Sequence, residues 1–484
     1  MVARLVIVSN RVALPGEKRA GGLAVAVKAA LRGRKGVWCG WSGRTTEDEP
    51  GAPEIIEGRN VSFVALDLSV ADHQEYYNGF ANSVLWPLLH YRVDLQDYSR
   101  ADLSGYIRVN AYFAEQVSKI LQPDDIVWVH DYHLMRLALE LRARGHDNPI
   151  GFFLHIPCPP PDIVQALPKN AETLGALAAF DLVGFQTEND TDNYGKYLET
   201  LGAAPSRDGR YFEIDGRRVQ IDTFPVGIET GIYARAARAA AHTPFITEML
   251  DSLGGRKLLL GVDRLDYSKG IVQRMQAFEH LLAERPRWRG AATFLQITPK
   301  SREQAKGYKE MEDMVTGLVG HINGQYGEAA WTPIRYVNRS YSRKMLAGIY
   351  RCAQAALVTP LRDGMNLVAK EYVAAQDETD PGVLILSQFA GAAAELDGAL
   401  IVNPHEREAV SAAIERALTM PKDERVARHA RMFERISDHD VTRWASEFIM
   451  RLAEARTKWS LIDGIRQIFT PRAADSRTPG RRSV

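Results

Sequence analysis

The stretch AALVTPLRDGMNLVAKE, residues 355–371, contains the strand–loop–helix unit from which the fold can be predicted. Its first four residues are apolar throughout, which is typical of a parallel strand buried between helices. A polar loop with a glycine follows, and a helical pattern begins near Asn366. Similar apolar runs occur at residues 5–8, 126–129, 151–154, 182–185, 257–262, 293–297 and 383–386. Their alternation with helical patterns predicts an α/β protein with doubly wound sheets.

The length of the chain predicts more than one domain. One hydrophobic core stops growing well before 484 residues. The alanine-rich segment 234–244 looks like a hinge, so we expect domains over residues 1–230 and 245–450. A C-terminal helix and mobile tail are expected over 451–484. Ligands bind beyond the carboxyl ends of parallel strands, so two facing sheets predict a cleft with one substrate on each side.

Composition argues against several classes of function. Lys plus Arg and Asp plus Glu number 60 each, so the net charge is zero, without the basic excess expected of a nucleic-acid-binding protein. No apolar stretch approaches the ~20 residues that span a membrane, and no signal peptide is recognisable. The three cysteines, Cys39, Cys158 and Cys352, have neither disulfide nor metal spacing. We expect a cytoplasmic protein that binds neither nucleic acid nor membrane.

The loop and helix of residues 359–371 offer groups for an anion and a sugar. Backbone N–H groups at a helix start form an anion site. Glu371, about one turn into the helix, can accept hydrogen bonds from two ribose hydroxyls, and Asp363 from a sugar hydroxyl. The alternative is an ordinary loop in which Asn366 caps the helix and Glu371 lies on a solvated face.

A second loop, GVDRLDYSKG at residues 261–270, has two cations at the end of an apolar run. Fixed cations such as Arg264 and Lys269 can stabilise the charge that develops on a nucleoside-diphosphate leaving group, without a metal. The alternative is a loop in which Arg264 pairs with Asp266.

Two acidic pairs look like the two-carboxylate signature of metal-dependent sugar transferases. They are Asp190 with Asp192 and Asp438 with Asp440. Neither pair follows an apolar strand, and both precede helical patterns, so we interpret them as helix caps. We therefore expect no metal site and no cofactor.

The first 90 residues concentrate groups suited to a phosphorylated sugar. Arg11 follows the first apolar run, and Gly22 opens a helix whose backbone can approach a phosphate closely. Aromatic side chains with polar tips, which suit the apolar faces and polar edges of a sugar, are Trp41, Tyr77 and Trp86. Each of them alone is more often a core or surface residue.

Two neighbouring apolar runs both end in histidine and aspartate groups. Asp131 can accept a hydrogen bond from a hydroxyl and His155 can donate one, although a lone histidine is usually structural. Arg302, after the run at 293–297, supplies another cation for a substrate phosphate.

Taken together, these motifs resemble glycosyltransferase family 20, the trehalose-6-phosphate synthase family. The matching strings run from Ser9 to about Ala393 and are SNR, GGL, GWSG, YYN, LWP, HDYHL, GFFLHIP, GFQTEND, RLDYSKG, INGQYG, TPLRDGMNLVAKEYVAAQ and LSQFAGAA. The resemblance implies two facing Rossmann-like domains of the GT-B type, joined by a closing helix expected at residues 444–456. It also implies transfer of glucose from UDP-glucose to glucose 6-phosphate with retention of configuration.

The resemblance further implies a role for each site residue. The acceptor, glucose 6-phosphate, would be bound by Arg11, Tyr77 and Arg302 at its phosphate, with Trp41, Trp86 and Asp131 nearby. The donor diphosphate would be bound by Gly22, Arg264, Lys269 and the backbone of Asn366, Leu367 and Val368. Glu371 would hold the ribose, and His155 and Asp363 the donor glucose. The groups closest to the chemistry would be His155, Asp363, Arg264 and Lys269.

Several alternatives remain open from the sequence. Cys158 and Asp162 depart from the family's usual pattern after His155, and the donor base can be UDP, GDP or ADP, with UDP favoured. A related transferase with another acceptor, or a non-catalytic sensor of sugar phosphates, would keep the same motifs. The resemblance also implies a homo-oligomer, a dimer or tetramer.

Overall fold

The computed structural model describes residues 3–16, 22–299 and 308–469, which form two parallel sheets with helices packed around them. The strands are β1 (Leu5–Arg11), β2 (Gly36–Thr46), β3 (Glu54–Ile56), β4 (Val61–Ser69), β5 (Ile126–His130), β6 (Ile150–Phe153), β7 (Leu182–Phe185), β8 (Ala204–Pro205), β9 (Tyr211–Ile214), β10 (Arg217–Thr223), β11 (Lys257–Val262), β12 (Ala292–Ile297), β13 (Ile334–Val337), β14 (Ala355–Val358), β15 (Val383–Ser387) and β16 (Leu400–Val402).

The helices fill the connections between these strands. The α-helices are α1 (Gly22–Ala30), α2 (Val70–Asp72), α3 (Trp86–Leu89), α4 (Arg100–Ser118), α5 (Leu137–Ala143), α6 (Pro161–Val164), α7 (Glu188–Thr200), α8 (Thr230–Ala240), α9 (Pro244–Leu253), α10 (Ile271–Glu284), α11 (Tyr308–Tyr326), α12 (Arg343–Cys352), α13 (Leu367–Ala375), α14 (Arg407–Thr419), α15 (Lys422–Asp438) and α16 (Val441–Phe469). A π-helical segment, His73–Leu85, joins α2 to α3. Within the described ranges, no helix has the length and apolar character needed to span a membrane.

The eight apolar runs predicted as strands are all strands, and every one is parallel to its neighbours in the core of a sheet. The burial of these strands explains why they could be predicted from runs of apolar residues. In β6, β7 and β14 every residue is buried, because helices cover both faces of the sheet.

Strand order fixes where each sheet can bind a ligand. The second sheet has the order β13-β12-β11-β14-β15-β16, which is the 3-2-1-4-5-6 order typical of a Rossmann fold. The first has the order β3-β4-β2-β1-β5-β6-β7-β10-β9-β8, with the same reversal at β1 and antiparallel edges. The crevices at these reversals lie beyond β1 and β5 and beyond β11 and β14.

The alanine-rich segment predicted as a hinge is helical. Alanine is the strongest helix former, and most of residues 234–244 lie in α8 and at the start of α9. Helix α8 packs against α12 and α13 beside the second sheet. The chain instead crosses between the sheets just before α8. There, a Cβ on Gly227 would overlap the backbone of His439 and Asp440, where the chain crosses back.

Helix α16 follows that return crossing and packs on the first sheet. Phe448 is fully buried and stacks on Trp128, with ring centroids 4.4 Å apart. Gly151 in β6 and Gly184 in β7 leave room for it, since a Cβ at either position would lie within 2.8 Å of the Phe448 ring. The helix therefore ties the end of the second half to the first. The predicted tail, residues 470–484, lies outside the described residues.

Candidate active site

The loops beyond the two sheets touch each other through glycine. A Cβ on Gly364, in the loop after β14, would overlap the backbone of His155 and Ile156 beyond β6. A Cβ on Gly22 would lie 2.9 Å from Cδ1 of Leu367 at the start of α13. The chain can come this close at both positions only because glycine has no side chain. They bring the carboxyl ends of the two sheets face to face.

An ion pair joins the loop after β11 to the loop after β14. Nζ of Lys269 donates to Oδ2 of Asp363 at 2.5 Å, and both side chains are largely buried. Nδ2 of Asn366 donates to the same oxygen at 3.0 Å. Asp266 shapes the first loop by accepting a hydrogen bond from the N–H of Ser268 at 3.0 Å. The two predicted motifs therefore form one polar cluster.

Helix α13 begins as predicted, with an additional feature at its start. Asn366 precedes the helix in the left-handed region, at φ 72°, and its amide bonds to Asp363 instead of capping the helix. The N–H groups of Leu367 and Val368 belong to the first turn, where a helix supplies no internal acceptor. The start of α13 thus has the features of an anion site.

Glu371 lies against buried tyrosines instead of on a solvated face. The hydroxyl of Tyr233, from α8, donates to Oε2 of Glu371 at 3.4 Å. Burial raises the pKa of Glu371 to about 7, while Arg343 and the hydroxyls of Tyr233 and Tyr350 act in the opposite direction. The carboxyl group thus accepts a hydrogen bond from α8, and Glu371 itself lies about one turn beyond the start of α13.

Arg264 reaches across to the first sheet's loops. Its guanidinium carbon lies 5.6 Å from the centre of the Trp86 ring, a distance that allows a cation–π contact. Trp86 is buried and packs on His90, with centroids 4.1 Å apart. Asp266, the alternative partner, uses its carboxylate to shape its own loop.

Three residues proposed for the acceptor phosphate and sugar lie together beyond the first sheet. The guanidinium carbon of Arg11 is 5.8 Å from the Trp41 ring centre, and the Trp41 and Tyr77 ring centroids are 5.8 Å apart. Tyr77, in the π-helical segment, stacks on His133 at an interplanar angle of 13°. Gly43, at φ 91°, leaves space for the Arg11 guanidinium. Arg302 lies outside the described residues.

Asp131 and His155 meet at the ends of β5 and β6. Asp131 has a positive φ of 73°, which is uncommon for a residue with a side chain. Its N–H donates to the carbonyl oxygen of Phe153 at 2.8 Å. Oδ1 of Asp131 accepts from the N–H of His155 at 3.3 Å. Burial lowers the pKa of His155 to about 3, so its imidazole is neutral near pH 7.

Comparison with known proteins identifies the family. The family model "Glycosyltransferase family 20" matches residues 6–454. The chain belongs to glycosyltransferase family 20. A Sinorhizobium fredii protein named trehalose-6-phosphate synthase is 48% identical over 453 residues, which are 93% of this chain and 98% of that protein.

Solved structures of family 20 proteins share the fold. One is a UDP-forming α,α-trehalose-phosphate synthase from Burkholderia xenovorans in complex with glucose-6-phosphate; it has a TM-score of 0.90 and 45% identity, over 93% of this chain and 100% of that one. An Escherichia coli structure, described as bound with UDP-2-fluoro glucose, has a TM-score of 0.90 and 46% identity, over 93% and 99%. The predicted GT-B architecture of two facing Rossmann-like domains is confirmed.

Of the acidic residues interpreted as helix caps, Asp440 caps the start of α16 as predicted. The interpretation was wrong for the others, because Asp190 and Asp192 lie inside α7, which Thr187 caps, and Asp438 is the last residue of α15. Asp190 accepts from the N–H of Cys158 at 2.8 Å and from the Thr187 hydroxyl at 2.6 Å. Asp440 accepts from the N–H groups of Thr442 and Arg443. Asp190 thereby also holds the loop after β6, in which Cys158 is buried.

Sequence reasoning missed several residues that support the site. Tyr233 immediately precedes the segment 234–244 interpreted as a hinge, and Arg343 lies in a helical stretch without a recognisable motif. His130 is part of the motif from which only its neighbour Asp131 was predicted as a site residue. Arg362 lies over Tyr91, 4.0 Å from the ring centre, and joins the two halves. A local pattern gives no signal for contacts between residues this distant in the chain.

The raised pKa of Glu371 predicts a pH-dependent stability that Glu371→Gln removes. The pKa rises from 4.5 to about 7 on folding, so the folded protein holds this proton more tightly. The stabilising contribution is complete below pH 4.5 and is lost as the pH rises through about 7. Between pH 5 and 8 we expect the free energy of unfolding to fall by up to roughly 3 kcal/mol more in the wild type than in the variant.

Urea unfolding at several pH values measures this difference. Glu378→Gln, which changes an exposed carboxylate just beyond α13, is the matched control and should follow the wild type. Parallel pH–stability curves for wild type and Glu371→Gln would contradict the assignment.

Proposed function

We propose that this chain is a retaining glycosyltransferase that moves glucose from UDP-glucose to glucose 6-phosphate, giving α,α-trehalose 6-phosphate and UDP. The observation that carries the proposal is the contact of Gly364 with the loop of His155, which brings the Lys269–Asp363 pair opposite the loops beyond the first sheet. The ligands named for the Burkholderia xenovorans and Escherichia coli structures, glucose-6-phosphate and UDP-2-fluoro glucose, support it.

The donor is proposed to lie on the second sheet. Arg264 and Lys269 bind its diphosphate, together with the backbone N–H groups of Asn366, Leu367 and Val368 and the side-chain-free surface of Gly22. Glu371 accepts from the ribose hydroxyls. Because Lys269 is paired with Asp363 in this structure, an arriving diphosphate competes for the ammonium group and frees Asp363 to accept from a sugar hydroxyl.

The acceptor is proposed to lie on the first sheet. Arg11 and Tyr77 hold the phosphate of glucose 6-phosphate, and Arg302 is assigned to the same phosphate by resemblance alone. Trp41, Trp86 and Asp131 contact the sugar. The contact between Arg264 and Trp86 supports this placement, because it brings a donor cation next to an acceptor aromatic.

The transfer is proposed to take place on one face of the donor sugar. The anomeric hydroxyl oxygen of the acceptor bonds to C1 of the donor glucose as the bond from C1 to the diphosphate oxygen breaks. The departing phosphate oxygen takes the hydroxyl proton. Arg264 and Lys269 stabilise the charge on that oxygen, while neutral His155 and Asp363 hold the sugar by hydrogen bonds. Closure of the two halves excludes water and prevents hydrolysis of the donor.

Three further features belong to the proposal. The reaction needs no metal, because Arg264 and Lys269 stabilise the leaving group. The protein works in the cytoplasm; its three cysteines, which are unpaired, suit a reducing compartment. It assembles as a homo-oligomer, a dimer or tetramer.

Release of the nucleoside diphosphate tests the activity. We expect UDP to be released from UDP-glucose only when glucose 6-phosphate is present, and release to persist in EDTA. GDP- and ADP-glucose in parallel reactions rank the donor bases, and unphosphorylated glucose should be a poor acceptor. Equal rates with glucose would contradict the acceptor, and binding of both ligands without release would indicate a sensor.

Removing either donor cation should slow the reaction. We expect Arg264→Ala and Lys269→Ala each to lower kcat by about 10²–10³-fold, as for loss of an oxyanion donor, with a small change in the KM for glucose 6-phosphate. Steady-state kinetics with UDP-glucose measure this effect. Arg287→Ala, which removes an exposed arginine paired with Glu415, is the control. A loss below about ten-fold in both variants would exclude this role.

A further inference from the structure

Two imidazole rings share a hydrogen bond behind the proposed sugar site. His130 ends β5, and His155 follows the neighbouring strand β6. Nδ1 of His130 lies 3.1 Å from Nε2 of His155. His130 is fully buried, whereas His155 keeps part of its surface exposed. The buried ring therefore contacts the one that can reach a ligand.

Only one of the two facing nitrogens, Nδ1 of His130 or Nε2 of His155, carries the proton of this hydrogen bond. Burial lowers the pKa of both histidines, and His155 lowers that of His130 further, so each ring is neutral with a single N–H. In one arrangement Nδ1–H of His130 donates, and His155 carries its own proton on Nδ1. In the other, Nε2–H of His155 donates, and His130 carries its proton on Nε2.

The surroundings of His130 favour the first arrangement. Its Nε2 atom is buried and has no hydrogen-bond partner among the described residues. Trp128 and Trp444 lie beside the ring, with centroids at 4.6 and 6.4 Å, and the only polar group of an indole is a donor. An N–H at this position would be a buried donor without an acceptor, a rarer situation than an unused lone pair.

Helix α16 keeps this environment dry. Trp444 is 3% exposed, and its ring centroid lies 6.1 Å from that of His155 as well. Phe448, on the same helix, covers Trp128. Water that would pair with Nε2 of His130 is thereby restricted, so the hydrogen bond between the two rings decides which nitrogen of His155 carries the proton.

We propose that His130 is a positioning residue whose Nδ1–H donates to Nε2 of His155 and thereby holds His155 as the Nδ1–H tautomer. The Nδ1–H group of His155 then donates a hydrogen bond to a hydroxyl of the glucose being transferred, and the ring has no free nitrogen that could accept one. The use of that donor rests on the proposed function, whereas the tautomer itself does not.

NMR of the full-length protein labelled with ¹⁵N-histidine tests the tautomer without substrate. Long-range ¹H–¹⁵N correlations, with His155 assigned by the loss of its signals in His155→Asn, report which nitrogen carries the proton. We expect a protonated Nδ1 and a bare Nε2 for His155 near pH 7. A protonated Nε2, or exchange between the two forms, would overturn the proposal whether or not the chain transfers glucose.

Two substitutions at His130 separate positioning from packing. His130→Phe fills the space but cannot donate, and we expect its kcat/KM for UDP-glucose to fall about ten-fold, the effect of one lost hydrogen bond. His130→Asn keeps an N–H near the place of Nδ1 and should stay within about three-fold of the wild type. The KM for glucose 6-phosphate should not change in either.

Equal losses in the two variants, or none in His130→Phe, would contradict a positioning role. Thermal unfolding checks that both variants fold. If the His130→Phe variant does not fold, the His130→Asn variant and the NMR measurement on the wild type still decide whether His130 positions His155.

Discussion

The contact between Gly364 and the backbone of His155 and Ile156 is the constraint on which the site depends. A side chain at this position would push the two sets of loops apart. With glycine there, the crevice beyond β11 and β14 faces the loops beyond β5 and β6. The Lys269–Asp363 ion pair and the Arg264–Trp86 contact both lie at this junction. Helix α16 returns to the first sheet and holds the two halves together.

Charge in this protein is arranged locally. The net charge of zero provides no long-range attraction for phosphorylated ligands, so binding them falls to individual cations at strand ends. In the proposed function, Arg11 on one side and Arg264 with Lys269 on the other are such cations. Between them, burial keeps His155 neutral. In the proposed function, His155 therefore places no positive charge next to the donor sugar, on which positive charge develops during transfer.

The sequence predicted those parts of the fold that are encoded locally. Strands such as β14 are apolar on both faces, and a glycine loop before Asn366 marks the start of α13, so both were readable. The hinge prediction was wrong because alanine favours a helix, and α8 has a partner in α12. The bonds between His130 and His155 and between Tyr233 and Glu371 join distant parts of the chain, and no local pattern indicates them.

The most direct test of the account is a crystal structure of this chain with UDP and glucose 6-phosphate bound. We expect the diphosphate within hydrogen-bond distance of Arg264 and Lys269, and the sugar phosphate at Arg11 and Tyr77, on opposite sides of the Gly364 contact. Asp363 should have lost its bond to Lys269. Both ligands on the loops of a single sheet, or a sugar phosphate remote from Arg11, would contradict it.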